Sequence, residues 1–313
     1  MGYVIMTDAQ QRKTLAAVRS LGMKGVQVLA AEETCLATAM FSRYCSRRSV
    51  YPSPGKNPEK FYFWLKETLQ RYPCDVLFPM DDVTLEVMIR YREQIEQLCR
   101  LPLPETESYL NATDKALSTI AAQEAGLSCP ATVVLESIDH LPQVVAKLNF
   151  PVVVKPRKSS GSRGIVLVRR KGDLVAQYSQ VHKNYPLPII QEYIDPGMKI
   201  DVCLLFDRRS QLKASFVQKE IRCFPLEKGP STVQESIWCP ELVAKATSLM
   251  QKLKWYGVAE IEFMVDPRDG QAKFMEINTR FWASLQMAIL AGVDFPWLLY
   301  KLALTGDVEE VFT

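Results

Sequence analysis

The stretch from residue 258 to residue 278 constrains this 313-residue chain most. It reads as two strands, 258–265 and 272–278, joined by the turn Asp266-Pro267-Arg268-Asp269-Gly270. Side chains alternate across a strand, so Ile261 and Phe263 turn to a core while Glu260 and Glu262 turn the other way. On the second strand the same rule sends Met275 and Ile277 to the core and leaves Glu276 and Asn278 together on the opposite face. A register with Glu262 opposite Glu276 then gathers two carboxylates and an amide oxygen on one surface. Such oxygens repel one another unless a cation sits between them. Mg²⁺ fits, because it takes oxygen ligands, keeps some water and binds readily against phosphates. Mn²⁺ is the substitute. Arg280, two residues further on, has a planar guanidinium able to hold an anionic substrate opposite the metal. A hairpin whose acids merely face solvent is the plain alternative.

A second feature precedes it. The apolar run Pro151-Val152-Val153-Val154 ends in Lys155-Pro156 and is followed by Ser159-Ser160-Gly161-Ser162-Arg163-Gly164. A lysine at the end of a buried strand must satisfy its charge, and a phosphate is a natural partner. The Gly/Ser-rich loop allows close backbone approach and offers N–H and hydroxyl donors. It is not a GxxxxGK[ST] loop. An exposed turn would look the same in isolation.

Residues 1–104 alternate short apolar strands (3–6, 26–31, 75–79) with helices, including one over 15–21 that Gly22 is expected to stop. In the helix before Pro73, Phe61, Leu65 and Leu69 share a face. This alternation predicts a parallel sheet covered by helices, with Asp81, Asp82 and Thr84 at its ligand-facing edge and Asp82 or Thr84 capping the next helix. No GxGxxG loop follows the first strand, which argues against a dinucleotide site. Leu101-Pro102-Leu103-Pro104 marks a boundary. Next comes a helix from about Thr113, carrying Asp114 in its first turn, packing Leu117, Ile120 and Ala121 inward and closing at Gly126. Strands at 165–168, 189–194, 202–206 and 212–217 make the remainder sheet-rich and antiparallel.

A formal charge of +3, from 38 basic and 35 acidic residues, excludes a general nucleic-acid or membrane binder. No apolar run approaches the ~20 residues of a bilayer span, and residues 1–8 carry no signal-peptide pattern. The eight cysteines form no CxxC pair, which predicts reduced thiols and a cytoplasmic location. His140 and His182 lack metal-ligand spacing.

Taken in order, Asp114-Lys115, Val154-Lys155-Pro156 with the loop to Gly164, Gln191-Glu192-Tyr193-Ile194, Glu262, and Glu276-Ile277-Asn278-Thr279-Arg280 resemble the ATP-grasp superfamily. The segment from Arg280 through Gly292-Val293-Asp294-Phe295-Pro296 is similar to the carboxylate-amine ligase branch. The resemblance implies an α/β and α+β chain with the ATP-grasp fold: an N-terminal Rossmann-like preATP-grasp domain (1–104), a first lobe with the phosphate loop (105–190) and a second lobe with the metal hairpin (191–313). It implies ATP on Lys115, Lys155 and the loop residues Ser159, Ser160, Gly161, Ser162 and Gly164. Adenine falls to Gln191, Glu192, Tyr193 and Ile194, ribose to Asp201 in preference to Lys199, and Mg²⁺ to Glu262, Glu276 and Asn278. Lys219 and Arg222 compete for a further basic role, and Arg280, Lys155 and Arg222 are the expected catalytic groups. The implied reaction joins a small-molecule carboxylate to an amine through an acyl phosphate. A small-molecule kinase and a non-catalytic ATP sensor are the alternatives. Neither nucleic acid nor membrane is an expected partner, and Tyr62 and Trp64 are the surface aromatics through which a homodimer could form.

Overall fold

The computed structural model describes residues 2–159, 161–224 and 231–313. The N-terminal part contains strand β1 (Tyr3–Met6), helix α1 (Arg12–Met23), β2 (Gln27–Glu32), β3 (Arg47–Val50), α2 (Pro58–Arg71), β4 (Val76–Phe78), α3 (Asp82–Arg90) and the short α4 (Arg92–Glu96). Its four strands form a wholly parallel sheet in the order β3-β2-β1-β4. The apolar runs are continuous because both faces are covered. Val4, Met6, Val28, Ala30 and Phe78 pack towards α1, while Ile5, Leu29 and Leu77 pack with Phe61 and Leu65 of α2.

Three expectations for this part need correction. Helix α1 continues through Gly22 to Met23, and Gly25, with φ of +80°, follows its end. Gly22 is needed for space instead: a Cβ there would lie 2.4 Å from Cβ of Tyr44. At α3 the cap is Asp81, whose carboxylate accepts from the Asp82 N–H, whereas Thr84 is buried against Asp8. Nor are Tyr62 and Trp64 free surface groups. Tyr62 stacks on Tyr91 at 4.0 Å, Trp64 donates to Ser49 Oγ, and the exposed ring is Phe63.

Helices α5 (Thr106–Thr113) and α6 (Lys115–Glu124) follow, the first of them unanticipated. Asp114 is the N-cap of α6, accepting from the N–H groups of Ala116 and Leu117. The small face Ala116, Ala121 and Ala122 is buried, and Leu117 and Ile120 stand exposed, opposite to expectation for both. Small side chains let α6 lie close to the hairpin, where bulkier ones would hold it away.

An antiparallel sheet comes next, assembled from β5 (Thr132–Val133), β6 (Val152–Lys155), β7 (Val166–Val168) and β8 (Ile189–Glu192) in the order β5-β8-β6-β7, with α7 (Leu141–Val145) and α8 (Leu174–Asn184) against it. The rest is a larger sheet: β9 (Lys199–Phe206), β10 (Leu212–Cys223), β11 (Ser231–Ser236), then after α9 (Pro240–Lys252) the hairpin β12 (Gly257–Val265) and β13 (Ala272–Asn278). Helices α10 (Leu285–Leu290) and α11 (Phe295–Thr305) and strand β14 (Val311–Phe312) complete it. The order is β11-β10-β9-β12-β13, with β14 beside β10.

One face of this large sheet is apolar over its centre, its Val202, Leu204, Ala259, Ile261 and Phe263 covered by Leu242, Ala246 and Leu249 of α9. The other face changes character along its length. At one end Cys203, Leu205, Phe216 and Val258 pack with Phe281, Trp282 and α11, in a core shared with the N-terminal sheet. Two residues further along the same faces come Asp201, Gln218 and Glu260, where the apolar cover stops and a cleft begins.

Candidate active site

The hairpin register is Glu260 opposite Asn278 and Glu262 opposite Glu276, as alternation required. A bulge follows, pairing Phe263 with Phe274. Met275 is therefore the extra residue, half-buried in a cavity wall, and Phe274 takes the core position expected for it, edge-on to Phe263. Asn278 donates from Nδ2 to both Glu260 and Glu262. Burial, Asp201 and Glu262 drive Glu260 well above the usual carboxylate range. Burial, Glu276 and Asp201 raise Glu262 to about 8. These acids are short of positive charge, and that deficit is what a divalent cation would supply. The donor set is two carboxylates and one amide; among the described residues no three His, Cys, Asp or Glu side chains converge as a ready metal site. Turning the Asn278 amide would present Oδ1 in place of Nδ2.

The two lysines reach this face from different elements. Lys115, 7% exposed in the first turn of α6, donates to the Ser159 carbonyl at 2.8 Å and pairs with Glu276 at 2.8 Å. Its helix is held by Asp114, which besides capping α6 takes a two-pronged bond from Arg157 just beyond β6. Lys155, at the end of β6, donates to Gln191 Oε1 at 2.6 Å, and Gln191 donates in turn to Thr132. Burial pulls Lys155 down to about 8 against the opposing pull of Glu276. The loop after it has left-handed backbone at Gly161, Ser162 and Gly164. At Gly164 a Cβ would also collide with Tyr185 and Pro156. Ser159, Gly161 and Ser162 line the cavities above the hairpin, and Ser160 lies outside the described residues.

Those cavities are contiguous. One of about 470 Å³ is walled by Lys199, Asp201, Glu220, Glu260, Glu262 and Arg280. A smaller one of about 150 Å³ shares Lys199, Glu262 and Glu276 with it and has apolar walls from Ile165, Phe263, Met264 and Met275. A third, about 900 Å³, opens beyond the β13 edge between Asp82, Tyr109, Lys115 and Glu276.

Other expected residues lie differently. Gln191 reaches the small cavity through Lys155, and Ile194 is buried but is not among the residues that wall it. Glu192 turns its carboxylate outward to the Ala131 N–H and to Arg268 at 2.6 Å, tying the four-stranded sheet to the hairpin turn. Tyr193 is half-buried, its N–H on the Pro151 carbonyl. Asp201 lines the cleft but is held by Gln218 at 3.0 Å, and burial raises it to about 6; Lys199, the residue passed over beside it, lines both cavities. Lys219 faces away from the cleft and pairs with Glu235, because strand alternation gives the cleft to Gln218 and Glu220. Arg222 is exposed beyond a register shift in β10 and also leaves the site. Arg280 lines the cleft, with Nε 3.1 Å from Asp82 across from the N-terminal sheet. Burial works to lower its proton affinity, but Asp82, Glu260 and Asp81 outweigh it and the net shift is upward.

Lys13 was missed entirely. It lies in the first turn of α1, 5% exposed, and burial and Arg280 lower it to about 8 while Asp81, Asp82 and Asp8 oppose that. The signal was present: Lys13 falls on the buried stripe with Ala17 and Leu21, where a lysine is out of place.

Comparison with known proteins adds independent support. A D-alanine--D-alanine ligase from Bacillus anthracis is 30% identical over 200 residues, 59% of this chain and 64% of that protein. The alpha subunit of an Arabidopsis thaliana mitochondrial methylcrotonoyl-CoA carboxylase is 22% identical over 156 residues, 46% of this chain; the chain thus spans about a fifth of that relative's length. In three dimensions the chain resembles a biotin carboxylase complex from Campylobacter jejuni, with TM-score 0.82 at 17% identity over 97% of this chain and 71% of that one. It also resembles an L-amino acid ligase from Bacillus licheniformis, with TM-score 0.75 at 17% identity over 99% and 75%. The family described as "Carbamoyl-phosphate synthase L chain, ATP binding domain" matches residues 114–311, from the Asp114 cap through the β12–β13 hairpin to β14, so the chain belongs to that family and has the ATP-grasp fold.

Proposed function

We propose that this protein is an ATP- and Mg²⁺-dependent ligase that joins a small-molecule carboxylate to an amine through an acyl phosphate. The observation that carries this reading is the convergence of Lys115, paired with Glu276, and the Glu262 and Asn278 face beside Ser159 and Ser162, in a cleft where burial and neighbouring carboxylates raise Glu260 and Glu262. The parallel sheet of residues 1–104 is read as a Rossmann-like preATP-grasp domain, 105–190 as the first ATP-grasp lobe and 191–313 as the second. All eight cysteines are free, which suits a reducing cytoplasm. No helix among the described residues is long and apolar enough to cross a membrane.

The apolar walls from Ile165, Phe263, Met264 and Met275 suit a purine, with Lys199 at the junction to the larger cavity where a ribose would sit. Lys155 and Lys115 then face the phosphates, and loop N–H groups complete the cradle. Glu262, Glu276 and Asn278 would hold a divalent ion, which would supply charge neutralisation at the phosphoryl oxygens. Lys115 must leave Glu276 for phosphate as nucleotide and metal enter, an exchange of partners within one buried set. The substrate carboxylate attacks the γ-phosphorus, giving an acyl phosphate and ADP. The amine then attacks the acyl carbon, loses a proton and expels phosphate. Arg280 holds the carboxyl oxygens in place, and no protein nucleophile is needed.

A screen of small carboxylates, alone and with amines, for ATP-dependent ADP formation tests this reading. A product mass equal to acid plus amine minus water is the expected outcome. A stable phosphorylated product formed without amine would replace the ligase with a kinase.

A further inference from the structure

The small cavity has apolar walls from Ile165, Phe263, Met264 and Met275. The 470 Å³ cleft beside it differs: apart from Ala283, no described residue that lines it carries an aliphatic or aromatic side chain. One wall is the β10–β11 hairpin, which contributes Ser231, Thr232 and Gln234, all neutral hydrogen-bonding groups. An apolar substrate body seated here would strip water from polar groups and return no hydrogen bonds to them. A hydrophilic one replaces that water group for group.

Among the described residues, three cations line this cleft: Arg12, Lys199 and Arg280. Lys199 lies 3.5 Å from Glu220, and Arg280 Nε lies 3.1 Å from Asp82. Arg12 has no hydrogen bond, ion pair or ring contact among the described residues. Nor does the local structure account for it. Arg12 is the first residue of α1, where the helix dipole disfavours a cation, and no acidic residue in the first turn offsets it. The acids of the cleft are engaged elsewhere: Glu276 pairs with Lys115, Glu260 and Glu262 accept from Asn278, and Asp201 accepts from Gln218. Arg12 therefore brings to the cleft a positive charge that no described acid takes up.

We infer that the carboxylate substrate is hydrophilic and carries a second anionic group, a carboxylate or a phosphate, which Arg12 binds at a distance from the reacting carboxylate. This rests on the ligase reading for the fate of the reacting carboxylate, though not for binding at Arg12. Arg12 and Arg280 come from opposite ends of the sequence and line one cleft. A substrate held at both ends has its reacting carboxylate oriented by a contact remote from the chemistry. Arg12 is thus a specificity residue that touches no reacting atom, and Thr232 and Gln234 suit polar groups on the rest of the molecule.

The full chain with Mg²⁺ and a non-hydrolysable ATP analogue is titrated calorimetrically with matched pairs that differ in one distal anionic group. Succinate and succinamate, glutarate and glutaramate, and glutamate and glutamine test a second carboxylate; 3-phosphoglycerate and glycerate test a phosphate. In at least one pair the member with the extra anion should bind about tenfold or more tightly than its partner, as one charged contact predicts. Arg12→Gln should bring the two members of that pair to within about twofold of each other while nucleotide affinity also stays within about twofold. Arg12→Lys should restore part of the preference. Arg12 is exposed, so Arg12→Gln is expected to fold, and thermal unfolding checks this. If it does not fold, Arg12→Lys and the pairs on the native chain still decide. Three results overturn the proposal: no pair in which the extra anion tightens binding, a preference that survives Arg12→Gln, or lost nucleotide affinity in a folded Arg12→Gln, which would put Arg12 on the polyphosphate. The two readings fail separately. Ligation of carboxylates with no preference for a second anion sinks the Arg12 site alone, and an Arg12-dependent preference without ADP formation sinks the ligase alone.

Discussion

Buried acids on the two opposing sheets are built on different plans. At the edge of the parallel sheet, Asp8 is surrounded by donors: Thr7 Oγ1 at 2.6 Å, Thr84 Oγ1 at 2.7 Å, the Met80 N–H and the Tyr51 hydroxyl, both at 3.2 Å. On the antiparallel hairpin, Glu260 and Glu262 share the amide N–H₂ of Asn278, and their nearest charges are other carboxylates. Burial raises the proton affinity of both groups, but only the hairpin adds strong mutual repulsion. A satisfied acid stitches elements together. An unsatisfied set, placed beside two lysines, is a demand for a ligand.

Removing a hairpin acid is the severest way to break this contrast. Glu276→Gln should lower ATP turnover by at least ~10²-fold, because it removes a proposed metal ligand and the partner of Lys115 together. Glu262→Gln should do likewise, and without divalent ion it should raise the melting temperature by relieving buried repulsion. Steady-state ADP formation and thermal unfolding measure the pair. Wild-type turnover in either variant would remove the metal assignment.

That contrast was half legible in the sequence. Alternation fixed the faces of Glu262, Glu276 and Asn278, and the apolar runs of β1 and β4 announced a buried parallel sheet. What escaped depended on single-residue phase or distant contacts. The bulge that exchanges Met275 and Phe274 has no local signature. Likewise, one residue of register separates the outward Lys219 from the cleft-facing Glu220. Leu117 and Ile120 looked like core residues until α6 was seen to pack through alanines. Arg280 was expected to be a free anion holder, and only the crossing of the C-terminal helices onto the N-terminal sheet brings Asp82 to it.

Lys155 gives a milder test. Lys155→Met should weaken ATP binding by roughly 10-fold to 100-fold, the value of one charged hydrogen bond. Because burial holds Lys155 near 8, polyphosphate beside it should raise its proton affinity again. ATP binding at pH 8 should then take up about half a proton, seen in calorimetry as a heat that varies with the buffer's ionisation enthalpy, and Lys155→Met should abolish that uptake. No uptake in the native protein would mean that Lys155 does not meet the phosphates.

The satisfied acid is probed by pH. Asp8 rises from 3.8 to about 6 on folding, with burial the main cause. A raised folded value means that the folded state holds the proton more tightly, so this contribution is complete below pH ~4 and is lost as pH rises through about 6. The unfolding free energy of the native protein minus that of Asp8→Asn should therefore fall by about 2 to 3 kcal/mol between pH 4 and pH 7. Denaturant unfolding at both pH values measures it. A pH-independent difference would mean that the donors around Asp8 already cancel its burial.

Lys219 should show the smallest effect, and it tests the register on which the contrast stands. It faces away from the cleft on β10 and pairs with Glu235 at 3.0 Å, a contact whose carboxylate is 58% exposed. An exposed pair of this kind contributes less than about 1 kcal/mol, so Lys219→Ala should leave both stability and turnover nearly unchanged, with turnover within about twofold. Glu220→Ala, one residue on, removes a cleft wall and the partner of Lys199, and it should raise the KM for ATP in the same assay. If the order were reversed, with Lys219 essential and Glu220 silent, β10 would present its other face to the cleft. Gln218 and Asp201 would then lose the shared surface from which the whole acid set is built.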